Sequence, residues 1–328
     1  MLPTRKMHPA IPEHISRQDK TTRASARVMK ICLLLTVWLT VSTATALAKL
    51  PDAIVNTRAE LNTVETEPKT QSADDLSREL SNPNTPLAKL TFENITTFYK
   101  GSLPDSDDQV GNLTLFQPIF PFPLADDGTL NLFIRPAFTF MTGQPSYDPV
   151  KGVFYDKSGF GDIGFDVALG KTYESGWIFV GGVQGTLPAG SESELTGGQL
   201  RLGPEFAAVY MSTKGFIGIF PQHQWDVSGW RDDDYATTNI ELFWGRFLKN
   251  GVTLSSNPVL AYNWEGEQWT VPLNLTVKKV MKICGVPFQV GASLDYYVEA
   301  DDDFGPDWAF GINLTPIVPN FIYAWLNK

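Results

Sequence analysis

The sequence is poor in the residues that catalytic and metal-binding proteins rely on. Among 328 residues there are two cysteines and three histidines. Two cysteines exclude a disulfide-built scaffold. Histidines at 8, 14 and 223 leave little for metal ligation or acid–base chemistry. Lys and Arg number 26 against 36 Asp and Glu, a formal net charge of −10; phosphate binding needs a basic face, so nucleic acid is excluded as a partner. There is no phosphate loop, dinucleotide fingerprint or zinc spacing, and so no cofactor is expected. No stretch approaches 18 uninterrupted apolar residues, which rules out a transmembrane helix. What is plentiful is aromatic and small: 21 Phe, 10 Tyr, 9 Trp and 27 Gly, in a chain that is 43% hydrophobic and only 19% charged.

The first segment reads as targeting. Ile31 to Val41 is an apolar run of signal-peptide length, flanked by Arg23, Arg27 and Lys30 and followed by the small-x-small pattern Ala46-Leu47-Ala48. Met29-Lys30 makes a more usual start, so residues 1–48 are expected to be an over-extended start plus a signal peptide. Cys32 follows Met-Lys-Ile and fails the pattern of a lipoprotein anchor. A chain cleaved after Ala48 keeps 19 basic and 34 acidic residues and one cysteine, Cys284. It therefore has no internal disulfide.

Residues 49–86 read as a periplasmic linker carrying one short helix. Asp74 to Leu80 has acidic residues at its start, as the helix dipole favours, and Asn82-Pro83 stops it. From there a period of two replaces the helical period. In 162–169, Ile163, Phe165, Val167 and Leu169 face one way, and Asp162, Gly164, Asp166 and Ala168 the other. The segments 199–210, 269–278 and 288–299 alternate in the same manner. Such alternation means strands with one apolar and one polar face. The pattern predicts about twelve strands, near 88–99, 110–121, 129–141, 160–171, 177–187, 198–211, 216–227, 236–247, 252–263, 268–280, 286–298 and 307–317.

Sandwiches and membrane barrels both alternate, so the connections have to discriminate. Short turns with Gly occur at 126–128, 174–176, 213–215, 249–251 and 283–285. Between them lie longer, more acidic connections around 100–109, 142–158, 188–197, 228–235, 264–267 and 299–306. That alternation of short and long fits an up-and-down barrel with periplasmic turns and outer loops. Trp225, Trp230, Trp264, Trp269 and Trp308 fall at the long-loop end, and Trp177, Trp244 and Trp325 at the short-turn end. Indole prefers the headgroup boundary, whereas a sandwich would bury Trp mid-strand. The expected fold is therefore all-β: an antiparallel up-and-down transmembrane β-barrel over 87–319, with a tail at 320–328, in the outer membrane of a Gram-negative-type bacterium.

The segment 263–275 (NWEGEQWTVPLNL), with Tyr296-Tyr297 and Gly305-Pro306-Asp307-Trp308, resembles a bacterial outer-membrane family labelled putative transporters or proteins of a "MetA pathway of phenol degradation", sometimes misnamed neuromedin U. Asn82-Pro83, Gly159-Phe160-Gly161-Asp162 and Gly203-Pro204 look similar too. The resemblance covers roughly residues 74–319. It implies an outer-membrane β-barrel and passage of small, often aromatic, compounds, and it brings no site residues. In such barrels the last strand closes the chain with a terminal aromatic, whereas here residues 320–328 continue past Pro319.

No catalytic or metal site is expected. His223 would need an orienting carboxylate, and strand parity puts Asp226 on the opposite face. The Asp-rich loops lack calcium-loop spacing and read as a solvated rim. If the apolar face meets lipid, Arg135, Asp162, Asp166, Arg201, Glu205, Glu241, Lys278, Asp295 and Glu299 point into the lumen. Asp232, Asp233, Asp234, Asp301, Asp302 and Asp303 crowd the mouth. The function expected is a channel for passive passage of small solutes with a cation-preferring mouth; the alternative is a closed structural or surface-interaction barrel. Lipid, lipopolysaccharide and small solutes are the expected partners, and the oligomeric state is open.

Overall fold

The computed structural model describes residues 72–125, 127–283 and 286–326. The leader, the start of the linker and Cys284 lie outside them. A helix, α1 (Ala73–Ser81), precedes the strands β1 (Ala88–Lys100), β2 (Val110–Pro123), β3 (Leu130–Asp148), β4 (Val153–Thr172), β5 (Trp177–Leu187), β6 (Gln199–Met211), β7 (Gly215–Gly229) and β8 (Ala236–Phe247). Then come β9 (Val252–Ser256), β10 (Val259–Asn263), β11 (Gln268–Ile283), β12 (Val286–Glu299), β13 (Gly305–Val318) and a short helix α2 (Phe321–Leu326).

Strands adjacent in the chain pair antiparallel, β9 and β10 excepted, and β13 pairs back onto β1 from Ala88↔Val318 to Lys100↔Gly305. The sheet has no free edge. β9 and β10 are two halves of one barrel strand, since both lie between β8 and β11. The wall thus has twelve strands. The break falls at Asn257-Pro258, where proline has no N–H for the ladder. There Asn257 N–H turns to Asn274 Oδ1 at 2.9 Å instead.

The outward face is apolar and exposed: Phe160, Ile217, Leu273 and Ile312 are each more than half accessible. Aromatic pairs lie at both rims of this band, Tyr296–Trp308 at 4.5 Å and Tyr262–Trp269 at 4.8 Å at the loop end, and Trp177–Phe179 at 5.8 Å at the turn end. This is the surface of a membrane-spanning barrel. Trp230 differs from the other outer tryptophans. It is half-buried and its backbone N–H donates to Gly198 O in a neighbouring loop at 3.0 Å.

One expected feature changes. Residues 142–158 are not a long connection. β3 and β4 run on past the apolar band as a paired hairpin to Asp148↔Val153, and Phe154 meets Tyr147 at 5.0 Å and Phe304, between β12 and β13, at 4.7 Å. Past the apolar band, Tyr147, Val150, Val153 and Phe154 are interspersed with Gln144, Asp148, Asp156 and Lys157, so the strand pattern is diluted. The tail that continues past Pro319 holds α2, whose Phe321 ring meets Phe120 edge-on at 5.3 Å.

α1 is seated in the opening at the turn end of the barrel. Ser72 caps it by accepting from Asp75 N–H at 3.1 Å. Leu76 and Leu80 are buried against Val280, Ile317 and Leu87, and Ser77 and Thr253 hydroxyls meet at 2.6 Å. The chain then runs to Asn84, whose Nδ2 donates to Thr129 O at 2.9 Å and Thr172 Oγ1 at 2.8 Å. Asn131 Nδ2 donates back to Asn84 O and Oδ1, both at 3.1 Å. Thr253 and Asn131 belong to strands six apart in a wall of twelve. Residues 73–86 therefore strap the opening from one side to the other.

The orientation has a direct test. In a Cys284→Ser background, a cysteine at Asp233 in the β7–β8 loop should react with a membrane-impermeant thiol reagent on intact cells, and one at Asn250 in the β8–β9 turn should not. Equal labelling with an intact outer membrane would overturn the orientation.

Candidate functional site: the lumen and its two ends

Strand parity, read against the exposed outer face, places the polar side chains. Arg135 on β3 and Asp166 on β4 are direct cross-strand partners, with Arg135 Nε donating to Asp166 Oδ2 at 2.5 Å. Glu205 on β6 stands opposite Gln222 on β7. Glu241 lies on β8, Lys278 on β11 and Asp295 on β12, all on the inward face. Arg135 is within electrostatic reach of Asp166, Glu205 and Glu241, and Glu241 of Lys278. Each of these six except Asp295 sits five or six residues from the turn end of its strand, so they share one level of the lumen.

Two inward charges had no place in the sequence reading. Lys89 and Glu93 alternate with Leu90 and Phe92 on β1, so the signal was the same parity. Glu93 is in electrostatic reach of Lys278 and Asp295. Lys89 Nζ donates to Leu80 O at 3.4 Å, at the last turn of the strapping helix. It links wall to strap rather than lining free space.

Three expected lumen residues are engaged at the outer end. Asp162 accepts from the backbone N–H groups of Ala189 and Gly190, each at 3.1 Å, and Gly197 at 2.8 Å. It pins the β5–β6 loop. That loop comes so close to β4 that a Cβ on Gly159, at φ +154°, would lie 2.2 Å from Ser191 Oγ. The Arg201 guanidinium lies 3.7 Å over the Tyr235 ring. Glu299 is exposed at the rim and lines a cavity of about 420 Å³ with Lys100, Asp107, Asp301 and Asp302.

The two acidic mouth clusters are not brought together, because their loops are four strands apart round the wall. Asp232, Asp233 and Asp234 are exposed, and the Asp233 carbonyl accepts from Gln199 Nε2. Asp301 Oδ1 accepts from Asp303 and Phe304 N–H at 2.9 and 3.1 Å. Asp303 Oδ1 accepts from Ser102 Oγ at 2.7 Å. Among the described residues no group of His, Cys, Asp or Glu is arranged to hold a metal ion.

The inner end of the lumen is apolar on one side. Ala168, Ile178, Val180, Ala207 and Val209 are buried there, with Met211, Phe216, Phe220 and Phe243 against them. His223 is elsewhere, on the outward face. Its Nδ1 pairs with Thr238 Oγ1 at 2.8 Å, the same hydroxyl that accepts from Trp264 Nε1 at 2.8 Å. Asp226 faces inward and accepts from Tyr235 N–H at 2.9 Å.

No family model and no curated protein matches this chain. Among solved structures it is similar to a COG4313 outer membrane channel from Pseudomonas putida F1, at 15% identity over 71% of this chain and 94% of that one, with a TM-score of 0.55. It is also similar to the NanC porin, at 10% identity over 70% of this chain and 100% of that one, with a TM-score of 0.47. The chain is an outer-membrane β-barrel by fold and by its lipid-facing surface. At these identities the likeness reaches no further than the fold.

The β5–β6 loop gives two predictions. Asp162→Ala removes the acceptor of three backbone N–H groups, each such charge-assisted bond contributing about 1.5–3 kcal/mol, and should make residues 188–197 cleavable in limited proteolysis while the barrel stays intact; Asp162→Asn should show a smaller effect. The same loop should loosen in acid. Glu194 accepts from Ser193 Oγ at 2.6 Å, and also pairs with Lys157 and Tyr155. The Ser193 bond, with help from Lys157 and Tyr155, holds its carboxyl down to about 2 from 4.5. A depressed pKa contributes stability above the unfolded value that fades as pH falls through the folded one. Protection of the loop amides from hydrogen exchange, corrected for intrinsic rates, should drop between about pH 4.5 and pH 2, and the drop should be smaller in Glu194→Gln.

Proposed function

We propose that the protein is an outer-membrane channel for passive passage of small solutes, with a preference for cations. The observation that carries this reading is the level of inward charge formed by Glu93, Arg135, Asp166, Glu205, Glu241 and Lys278 within a closed wall. Charge of this kind is compatible with a hydrated lumen and costly on a lipid face, where Arg or Lys at mid-membrane costs about 2–4 kcal/mol. Barrels of about eight strands are filled by side chains and those of 16–18 leave wide channels, so twelve strands suit a narrow path. Four carboxylates face two cations at this level, and the rim loops are acidic. Both features raise the local cation concentration. The family resemblance adds small aromatic or hydrophobic compounds as candidate solutes, and the acidic rim suits contact with lipopolysaccharide through bridging cations.

The strap of residues 73–86 crosses the periplasmic end of the path and is the element that has to yield for a solute to leave. The crossing strap favours the second reading, a barrel with a permanently closed lumen. Planar-bilayer recording separates the two. The full chain should show small unitary currents, and a variant lacking residues 73–83 larger ones; silence from both, with correctly folded barrels, would favour the closed barrel. Reversal potential across a salt gradient should indicate cation preference, weakening as salt rises because the Debye length is already only about 8 Å at 0.15 M. Anion preference would overturn that part.

A further inference from the structure

Across the inner wall from β3 to β7 runs one row of polar side chains. Arg135 is opposite Asp166, Asp166 opposite Gln184, and Glu205 opposite Gln222. Gly182 is the residue opposite Glu205, so Gln184 on β5 and Glu205 on β6 are diagonal neighbours on one face. The three central side chains are buried: Glu205 is 5% exposed, Asp166 7% and Gln184 9%. Within the row Arg135 is committed to Asp166. Among the described residues, Glu205 Oε1 and Gln184 Nε2 have no hydrogen-bond partner. A buried carboxylate oxygen in that state is unfavourable, because the charge has lost water without gaining a partner.

The surroundings specify what would relieve it. The row carries two carboxylates and one guanidinium, an excess of one negative charge, so an anion is disfavoured. Arg135 lies in reach of Glu205 without a contact that would neutralise it. A divalent metal is disfavoured too, since hard cations take six or more oxygen ligands and Asp166 Oδ2 is already bonded. One step toward the periplasm on the same face, the residues are Ala168, Ala207, Phe220 and Phe243, part of the apolar cluster. A carboxylate with a free acceptor therefore stands directly above an apolar collar. The rim clusters offer no such boundary, because their carboxylates are exposed or bonded within their own loops.

We propose that this row is a binding subsite for a small organic ammonium ion, its N–H groups donating to Glu205 Oε1 and its apolar body lying against the Ala168–Ala207–Phe220–Phe243 collar. The inference deepens the channel reading and rests on it, since the ligand reaches the row through the lumen. A solute held here would pause midway between the acidic mouth and the strap.

The test is calorimetric titration of the full refolded chain with n-butylammonium, with ammonium and butanoate as controls. Saturable binding of butylammonium is expected, with butanoate and plain ammonium weaker by at least about tenfold, the difference a charge-assisted hydrogen bond or a buried alkyl body makes. Glu205→Gln should weaken butylammonium by at least about tenfold, and the triple change of Asp232, Asp233 and Asp234 to Asn should leave it unchanged. The wild-type chain supplies a readout independent of folding in any variant. Affinity should climb from methyl- to butylammonium by up to about fourfold per methylene. Equal binding by wild type and Glu205→Gln, equal binding of butanoate, or no dependence on chain length would overturn the subsite. Bilayer recording in parallel keeps the two ideas apart: a silent barrel that binds butylammonium defeats the channel alone, and a conducting barrel that does not bind it defeats the subsite alone.

Discussion

In hydrocarbon there is no water to take an unpaired backbone N–H or C=O, and each such group left open costs several kcal/mol. A sheet can satisfy that demand only by closing on itself. The pairing of β13 with β1 along the full length of both strands is thus the contact on which the remaining structure depends. It decides that there is an inside and an outside, and so gives meaning to the alternation along every strand. It also explains how the wall treats its prolines. Pro258 splits one barrel strand, and the register shifts at Val271/Pro272, but the surrounding ladder closes over both sites. Asn274 supplies an acceptor where the ladder lacks one.

Closure creates two ends that the wall cannot seal, and the chain treats them differently. The turn end is covered by a segment that precedes the first strand. That segment is held by apolar burial on the β9–β11 side and by asparagine amides on the β3–β4 side. The outer end is covered by loops pinned through single carboxylates, with Asp162 gathering three backbone donors and Asp301 two. The aromatic contact of Phe154 with Phe304, itself stacked 4.6 Å from Tyr99, draws the β3–β4 extension over the β1–β2 side of the mouth. Between the two covers lies the charged level of the lumen. Its members carry more acid than base, and its lower edge is apolar.

Barrel type, strand positions and strand faces were legible in the sequence because each depends on local alternation. β5 and β8 coincide with the ranges read from residues 177–187 and 236–247. α1 differs from its expected span by one residue at each end, because a cap at Ser72 and a stop at Asn82-Pro83 are local signals as well. The β3–β4 extension was not legible. Above the membrane both faces meet water or other loops, so alternation no longer has to be apolar against polar. Glu299 followed the inward parity of β12 but stands at the rim, since parity gives a side and not a height.

What the sequence determined by itself is therefore the wall: an alternating chain with aromatic rims has one way to satisfy its backbone in lipid. What only the tertiary structure decided is everything that depends on which strands face each other across the lumen. Asp162 reads as a pore charge in sequence and is a loop anchor in space, because its neighbours at 189, 190 and 197 arrive from a different strand pair. Residues 73–86 read as a linker and are a strap, because their partners Thr253 and Asn131 lie on opposite sides of the barrel. Likewise Glu205 is one of several inward carboxylates in the sequence, and only the packing of its neighbours leaves one of its oxygens without a partner. Alternation is a property of one strand and can be read residue by residue. Contacts across the lumen join residues far apart in the chain, and no local pattern encodes them.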